Sequence, residues 1–413
     1  MLETLSLSHL GPAPALEFEF GERLNLLTGD NGLGKTFVLD LAWWALTRCW
    51  IEGRVIHPAA GVSNAAIRYH VHGRGGPNSE VECHYRRETL DWSPLPVRRP
   101  PDPGLVLYAR IDGGFSLWDP ERNGGERPAA FQFEKAELWE GKRDPEDGTV
   151  ICRGLLEDWE TWSLKANGAF KSLVAVLAEV SPGGNEAPLV PGQSVRVPGM
   201  GVRDVPTLMM PYGPVPLPHT SAGMRRILSL AYMLVWAWEE HRAAAGQRGR
   251  ECSRRIVLLW DEVEAHLHPQ WQRTILPAVV RVLNQMLASA DAPQVQVLAT
   301  THAPFVLASV ETIFDESRDR IFNLELTAGH EVRLEKVQWA RFGSVIEWLR
   351  SPAFDMKSGY SKEAEKALTD AIRWMRGERE GMTRGAVHAE LERTLAEGDP
   401  FWPRWLSASG GVP

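Results

Sequence analysis

LNLLTGDNGLGKTFVLDLAWWAL, Leu24–Leu46, is the stretch that decides the fold. Leu24–Leu27 reads as an apolar strand running straight into a glycine-rich turn, and GDNGLGKT, Gly29–Thr36, fits the pattern G-x-x-x-x-G-K-[ST]. From Phe37 to Leu46 every position but Asp40 is apolar, which predicts a helix buried on most sides, inside a layered α/β core. Strand, turn and helix in that order are what the motif's chemistry requires. Glycines let the backbone curl so that the N–H groups of Asp30, Asn31, Gly32, Leu33 and Gly34, together with the helix N-terminus, face phosphate oxygens. Lys35 then neutralises the β- and γ-phosphates, and the Thr36 hydroxyl is a ligand for Mg²⁺. The expected cofactors are ATP and Mg²⁺.

Two later strands end in the complementary chemistry. IVLLWDE, Ile256–Glu262, is a continuous apolar run typical of a central parallel strand, and it closes on two carboxylates. Ligands of open α/β sheets bind at the carboxyl ends of strands. Asp261 therefore suits the Mg²⁺ position, and Glu262 suits the base that polarises the attacking water. VLATTHAPF, Val297–Phe305, is a second apolar strand, ending in Thr300, Thr301 and His302; an imidazole there can contact the γ-phosphate or the water. HTSAGMRRILSLAYMLVWAWEE, from His219, sets the small-residue turn Ser221-Ala222-Gly223 at the start of a long apolar helix. Such a turn is an anion-binding end. A plain N-cap by Thr220 or Ser221 on a core helix explains the same residues.

Outward from these motifs, residues 2–8 and 15–20 read as short strands, and 65–72, 79–86, 105–111 and 114–118 as antiparallel strands. Pro94–Pro103 holds five prolines, an exposed linker or lobe connection. Helical patterning covers about 154–179, and Pro182–Pro218, with nine prolines, reads as irregular structure with short strands. A helix from Ser221 to about Arg242, the strand at 256–260, a helix at 269–287 and a strand at 295–299 alternate as in a parallel sheet. Strands near 320–327 and 331–336 follow. Ser344, with Glu347 three residues on, opens a helix with a capping box that stops before Pro352, and helices at about 361–376 and 383–397 close the chain.

With 44% hydrophobic and 24% charged residues the composition is that of a globular protein, which excludes global disorder. A net charge of −8 means that any nucleic-acid contact comes from a local basic patch. Cys49, Cys83, Cys152 and Cys252 are far apart with no CxxC pair, which argues against a disulfide scaffold or zinc ribbon. The N-terminal residues lack the blocks of a signal peptide, and the longest apolar run, Ile227–Trp238, is too short for a bilayer. A cytoplasmic protein is expected, with no membrane partner.

The order of the loop GDNGLGKT, the TSAGMRR helix, IVLLWDEVEAHLHP and THAP resembles the ABC-type ATPase domain of the RecF, SMC and OLD group over roughly residues 1–310. DEVEAHLHP, Asp261–Pro269, looks like the DExExHLHP form used by the stand-alone members. The resemblance implies an α/β fold with a mixed sheet, in which an antiparallel β lobe joins a parallel P-loop core, plus a helical lobe and a small C-terminal helical extension. Its ATPase domain would span 1–340 (P-loop and β lobe 1–150, helical lobe 151–250, remainder 251–340), and a partner-binding extension 341–413. It further implies that Thr220–Arg226 is the signature motif and His302 the switch histidine. Two subunits would pack head to tail, so that ATP on one loop is covered by Thr220, Ser221, Ala222 and Gly223 of the other, as a homodimer or a higher oligomer built from it. A Q-loop glutamine is not evident: Gln132 precedes acidic FEKAEL, and GLLEDWETWS, Gly154–Ser163, ends in serine.

NLLTGDNGLGKTFVLDLAWWALT, GLLEDWETW, FDMKSGYSKEAEKAL and GDPFWPRW are similar to ATPases found with small HNH nucleases in bacterial antiphage systems, of the PtuA or Septu kind and related retron-associated ATPases. That likeness implies an ATPase that scaffolds or restrains a partner nuclease. A RecF-like ATPase acting on DNA is the alternative within the group, and a transporter's nucleotide-binding subunit is the rival outside it. A metal enzyme built on Asp261, Glu262, Glu264, His266 and His268 is a third reading. No DxD cluster for a self-contained nuclease follows His302, and no heptad run suits an SMC-like arm. GQRGRECSRR, Gly246–Arg255, could touch nucleic-acid phosphates or simply be a solvated loop. Phe401, Trp402, Pro403, Arg404 and Trp405 read either as a partner-docking patch or as packing of the chain end on the ATPase core.

Overall fold

The computed structural model describes all residues except 74–79, 96–101, 124–129, 166–167, 202–203, 289, 291, 355, 357, 379–380 and 409–413. The chain divides into two compact units, Met1–Gly343 and Ser344–Pro413.

The first unit is built on an eight-stranded mixed sheet and a five-stranded antiparallel one. The larger sheet contains β3 (Leu24–Gly29), β7 (Leu105–Ala109), β8 (Phe115–Trp118), β9 (Phe131–Phe133), β15 (Arg255–Trp260), β16 (Gln294–Thr300), β17 (Arg320–Leu326) and β18 (Val332–Lys336). Their spatial order is β18-β17-β3-β16-β15-β7-β8-β9. The neighbours from β17 through β7 run parallel, so β3, β15, β16 and β7 all end at one edge. The smaller sheet, ordered β2-β1-β4-β5-β6, is formed by β1 (Leu2–Ser8), β2 (Ala15–Glu19), β4 (Ala66–Val71), β5 (Val81–Arg86) and β6 (Asp91–Leu95).

Helix α1 (Lys35–Thr47) shares one core with both sheets. Trp43, Leu41 and Ala45 are fully buried, and the same cluster takes in Leu5 and Ile67 of the smaller sheet and Val106, Val257 and Leu298 of the larger. Apolar surface on both sides is why Asp40 is the single polar residue between Phe37 and Leu46.

The remainder of the unit is a helical lobe. It comprises α2 (Lys135–Glu140), the small hairpin β10 (Lys142–Arg143) and β11 (Val150–Cys152), α3 (Leu155–Lys165), α4 (Gly168–Val180), a three-stranded sheet of β12 (Val190–Arg196), β13 (Asp204–Met210) and β14 (Gly213–Pro216), and α5 (Ala222–Gln247). Helices α6 (Pro269–Gln272), α7 (Ile275–Met286) and α8 (Pro304–Val310) follow β15 and β16.

Several expectations change. The strands at 105–111 and 114–118 do pair antiparallel with each other, but they lie in the main sheet, where β7 also runs parallel to β15: LVLYA is buried at every position, as a strand covered on both faces must be. Pro94 and Leu95 end β6, an edge strand, the place in a sheet where proline is tolerated; residues 96–101 of that proline run lie outside the described residues. The helical patterning at 154–179 resolves into α3 and α4, the single helix expected at 269–287 is two, and the short strands of the proline-rich 182–218 segment pair as an antiparallel sheet with a register shift between Gly192 and Val195.

The second unit contains α9 (Val345–Leu349), α10 (Lys362–Met375), α11 (Arg384–Thr394) and α12 (Trp402–Ala408). Ser344 caps α9 by accepting from Glu347 N at 3.3 Å, while the Glu347 carboxylate pairs with Arg350. Trp405 is fully buried beside Trp374, Val387 and Leu391, and Phe401 and Trp402 pack on the same cluster. Trp405 is thus part of the unit's own core, Phe401 and Trp402 are half-buried against it, and Pro403 and Arg404 are exposed. Among the described residues no helix is long and apolar enough to cross a membrane.

Candidate functional site

Gly29, Gly32 and Gly34 all adopt positive φ, and Gly34, at φ 99°, leads into α1 with no side chain over the turn. Lys35 is buried and donates from Nζ to the carbonyls of Gly29 and Asp30, each at 3.0 Å. Burial lowers its pKa, against the pull of the Glu262, Asp261 and Glu264 carboxylates. Thr36, at the head of α1, donates from Oγ1 to Asp261 Oδ2 at 2.7 Å.

Asp261 is fully buried at the end of β15. Its other oxygen accepts from Thr300 Oγ1 at 2.7 Å, and Thr300 Oγ1 in turn accepts from Glu262 N at 2.7 Å. Burial raises the Asp261 pKa and the two threonine hydroxyls oppose the rise. The head of α1 and the ends of β15 and β16 are thus stitched together through two hydroxyls and one carboxylate. Thr36 and Asp261 supply hard oxygen donors only, a set that fits Mg²⁺, and the curled loop with its lysine fits a polyphosphate.

Glu262 turns off the strand in the left-handed region, φ 50°, uncommon for a residue with a side chain. His302 Nε2 lies 2.9 Å from Glu262 Oε1, without the alignment of a hydrogen bond. The structure therefore brings Lys35, Thr36, Asp261, Glu262 and His302 to one edge of one sheet.

Thr220, Ser221, Ala222 and Gly223 sit elsewhere on the unit's bonding network. Thr220 Oγ1 donates to Leu217 O at 2.6 Å, and Ser221 Oγ accepts from Met224 N at 3.2 Å as the N-cap of α5. Ser221 and Ala222 are exposed, whereas Gly223 is buried against the His266 carbonyl. Among the described residues no hydrogen bond joins this turn to residues 29–36. The helix nonetheless touches the carboxylate strand, because Arg226 donates to the carbonyls of Asp261 (3.0 Å), Glu262 (3.3 Å) and Ile111 (3.1 Å).

Neither candidate for the glutamine loop reaches the carboxylates. Gln132 bonds to the backbone of Trp50 and Glu52, and GLLEDWETWS is α3, whose Trp159 and Trp162 are buried. His268 caps α6, accepting from Gln270 N at 3.3 Å. Among the described residues no three His, Cys, Asp or Glu side chains meet as a metal-holding set, which counts against the metal-enzyme reading. Each arginine of the Gly246–Arg255 run is engaged within the chain: Arg248 and Arg250 with Glu121, Arg254 with Glu251, and Arg255 with Asp102 O.

Residues outside the motif pattern complete the site. Tyr108, on β7, donates to Asp40 Oδ1 at 2.9 Å, and burial lifts the Asp40 carboxyl to about 6. Its signal in sequence is the single polar interruption of the α1 run. Arg226 and Glu264 lie within motif stretches, yet nothing in their spacing names their partners.

Three solved structures cover 82% of this chain. They are an SMC head domain from Thermotoga maritima (16% identity, 99% of that chain, TM-score 0.39), an SMC head bound to the C-terminal winged-helix domain of ScpA (13%, 98%, 0.42) and the recombination mediator RecF of the RecFOR pathway with an ATP analogue (11%, 98%, 0.39). Residues 211–308, the stretch that holds Ser221, Asp261, Glu262 and His302, match a family model described as "AAA domain, putative AbiEii toxin, Type IV TA system".

Proposed function

We propose that the chain is an ABC-type ATPase that binds ATP with Mg²⁺ and hydrolyses it. The carrying observation is the Thr36–Asp261–Thr300 bridge, which joins the phosphate-loop helix to two strand ends beside Glu262 and His302. In this reading the loop N–H groups and Lys35 bind the β- and γ-phosphates, and Thr36 and Asp261 hold Mg²⁺, which supplies charge neutralisation. Glu262 orients and deprotonates the attacking water, and His302 stands beside it to meet developing charge.

The proposal extends to assembly. Ser221 and Ala222 are exposed at the N-terminus of a 26-residue helix, so they are free to cover a nucleotide held by a second copy, head to tail. We further infer that this nucleotide-controlled dimer, or a larger assembly of it, restrains or scaffolds a partner effector, an HNH-type nuclease of antiphage defence. That step rests on the sequence likeness of GLLEDWETW and its companion stretches. Nucleic acid would then be reached through the partner.

Hydrolysis and nucleotide binding by the full chain test the first step. Lys35→Ala abolishes ATP binding, whereas Glu262→Gln retains binding and lowers kcat by about 10²- to 10⁴-fold. Normal turnover by the Glu262→Gln protein refutes the base assignment. Co-purification of a nuclease encoded beside this chain, with its activity altered by Lys35→Ala, tests the effector step.

A further inference from the structure

Glu264 does not face the Thr36–Asp261 pair. Its Oε2 accepts from Thr301 Oγ1 at 2.7 Å and its Oε1 from the backbone N–H of His302. Thr301 Oγ1 also accepts from Ala303 N at 3.0 Å, and Thr301 N donates to Leu27 O at 3.1 Å. One carboxylate thus ties down the three-residue turn between β16 and α8. His302 lies at its centre, with its imidazole 2.9 Å from Glu262.

We propose that Glu264 is a positioning residue for ATP hydrolysis, acting through His302: its two oxygens grip the Thr301–His302 turn and set where the imidazole stands against Glu262. The inference rests on the ATPase reading above. A glutamate suits the task because two donors converge from one turn and each needs its own acceptor oxygen. An amide can satisfy only one of them, and an aliphatic side chain leaves both unpaired in a buried place. Burial raises the Glu264 pKa, and the Thr301 hydroxyl and the His302 N–H draw it back down. The geometry also accounts for the spacing of Asp261, Glu262 and Glu264: the first serves Thr36 and Thr300, the second faces outward at positive φ, and the third crosses to the neighbouring strand's turn.

Steady-state hydrolysis at saturating Mg-ATP, on the full chain, provides the test. Glu264→Ala lowers kcat by about 10- to 100-fold, the cost of misplacing a reacting group by about 1 Å, with KM changed by less than about twofold. In a His302→Ala background the same change costs less than about a further twofold, because its effect passes through the imidazole. Thr301→Ser retains kcat, and Thr301→Val follows Glu264→Ala. Full additivity of Glu264→Ala with His302→Ala, or a loss confined to KM, overturns the proposal. Should the unaltered chain show no hydrolysis, the ATPase reading falls, and amide hydrogen exchange judges the clamp by itself. The His302 N–H then exchanges at least about tenfold faster in Glu264→Ala, and equal exchange in parent and variant overturns it. If Glu264→Ala fails to fold, Glu264→Gln carries both comparisons.

Discussion

Gly223 occupies a place where no side chain fits. A Cβ on this residue would stand 2.4 Å from the His266 carbonyl oxygen, and His266 is itself held in the left-handed region at φ 63°. Both partners at this contact are backbone, so neither yields cheaply. We expect Gly223→Ala to cost about 1–3 kcal/mol in unfolding free energy, checked by urea titration. It should also loosen the turn after Glu262 and slow hydrolysis, while Ala222→Gly, on the exposed neighbour, leaves stability within about 1 kcal/mol. At this scale the sequence showed residue types well and partners poorly. The pairing of Thr36 with the strand carrying Asp261 was legible, because the motif chemistry demands a carboxylate on a strand end. Glu264 looked like a candidate ligand, and only the folded turn shows it accepting from Thr301 and His302.

Helix α5 shows how an element can be half legible. The apolar run Ile227–Trp238 marks a buried helix, yet the helix continues to Gln247, past the expected end at Arg242. Its far part is held by a contact that periodicity does not encode. His241 is fully buried, its Nδ1 2.8 Å from Asp119 Oδ1, and its Nε2 accepts from Ser253 N at 2.8 Å. Midway along, Tyr232 donates to Asp158 Oδ2 at 2.7 Å, with Cys152 Sγ 3.1 Å from the same hydroxyl. Burial pushes the Asp158 carboxyl up to about 6, with Tyr232 opposing the rise. The folded state therefore binds more protons than the unfolded chain between about pH 4 and 6, and stability falls as pH rises through that window. Asp158→Asn removes the penalty. The variant should be more stable than the parent by about 1–3 kcal/mol at pH 8, and the gain should vanish below pH 4, as read from thermal unfolding across pH. An equal gain at every pH would show that charge is not the cause.

For the whole molecule the decisive prediction concerns two copies. Ser221 is exposed, and its hydroxyl accepts from Met224 N within its own helix turn; under the head-to-tail proposal it covers a nucleotide held by a second copy. A Lys35→Ala chain mixed with a Ser221→Ala chain should recover at most one working half-site. With ATP bound, the Glu262→Gln protein should double its mass by light scattering. Full activity in each single variant, or an unchanged mass, contradicts a shared site. The sequence by itself determined what depends on near neighbours: the glycine curl before Lys35, the apolar strands at 24–27, 256–260 and 295–299, and the Ser344 cap of α9. Tertiary structure alone decided which distant groups meet. Thr36 and Asp261 are 225 positions apart, and Glu264 and Thr301 are 37. The same holds for β7 in the main sheet and for Trp405 in the core of the second unit. Turn chemistry and hydrophobic period act over a few residues, whereas such pairings follow from how whole sheets and helices bury their apolar faces, a choice that no short stretch contains.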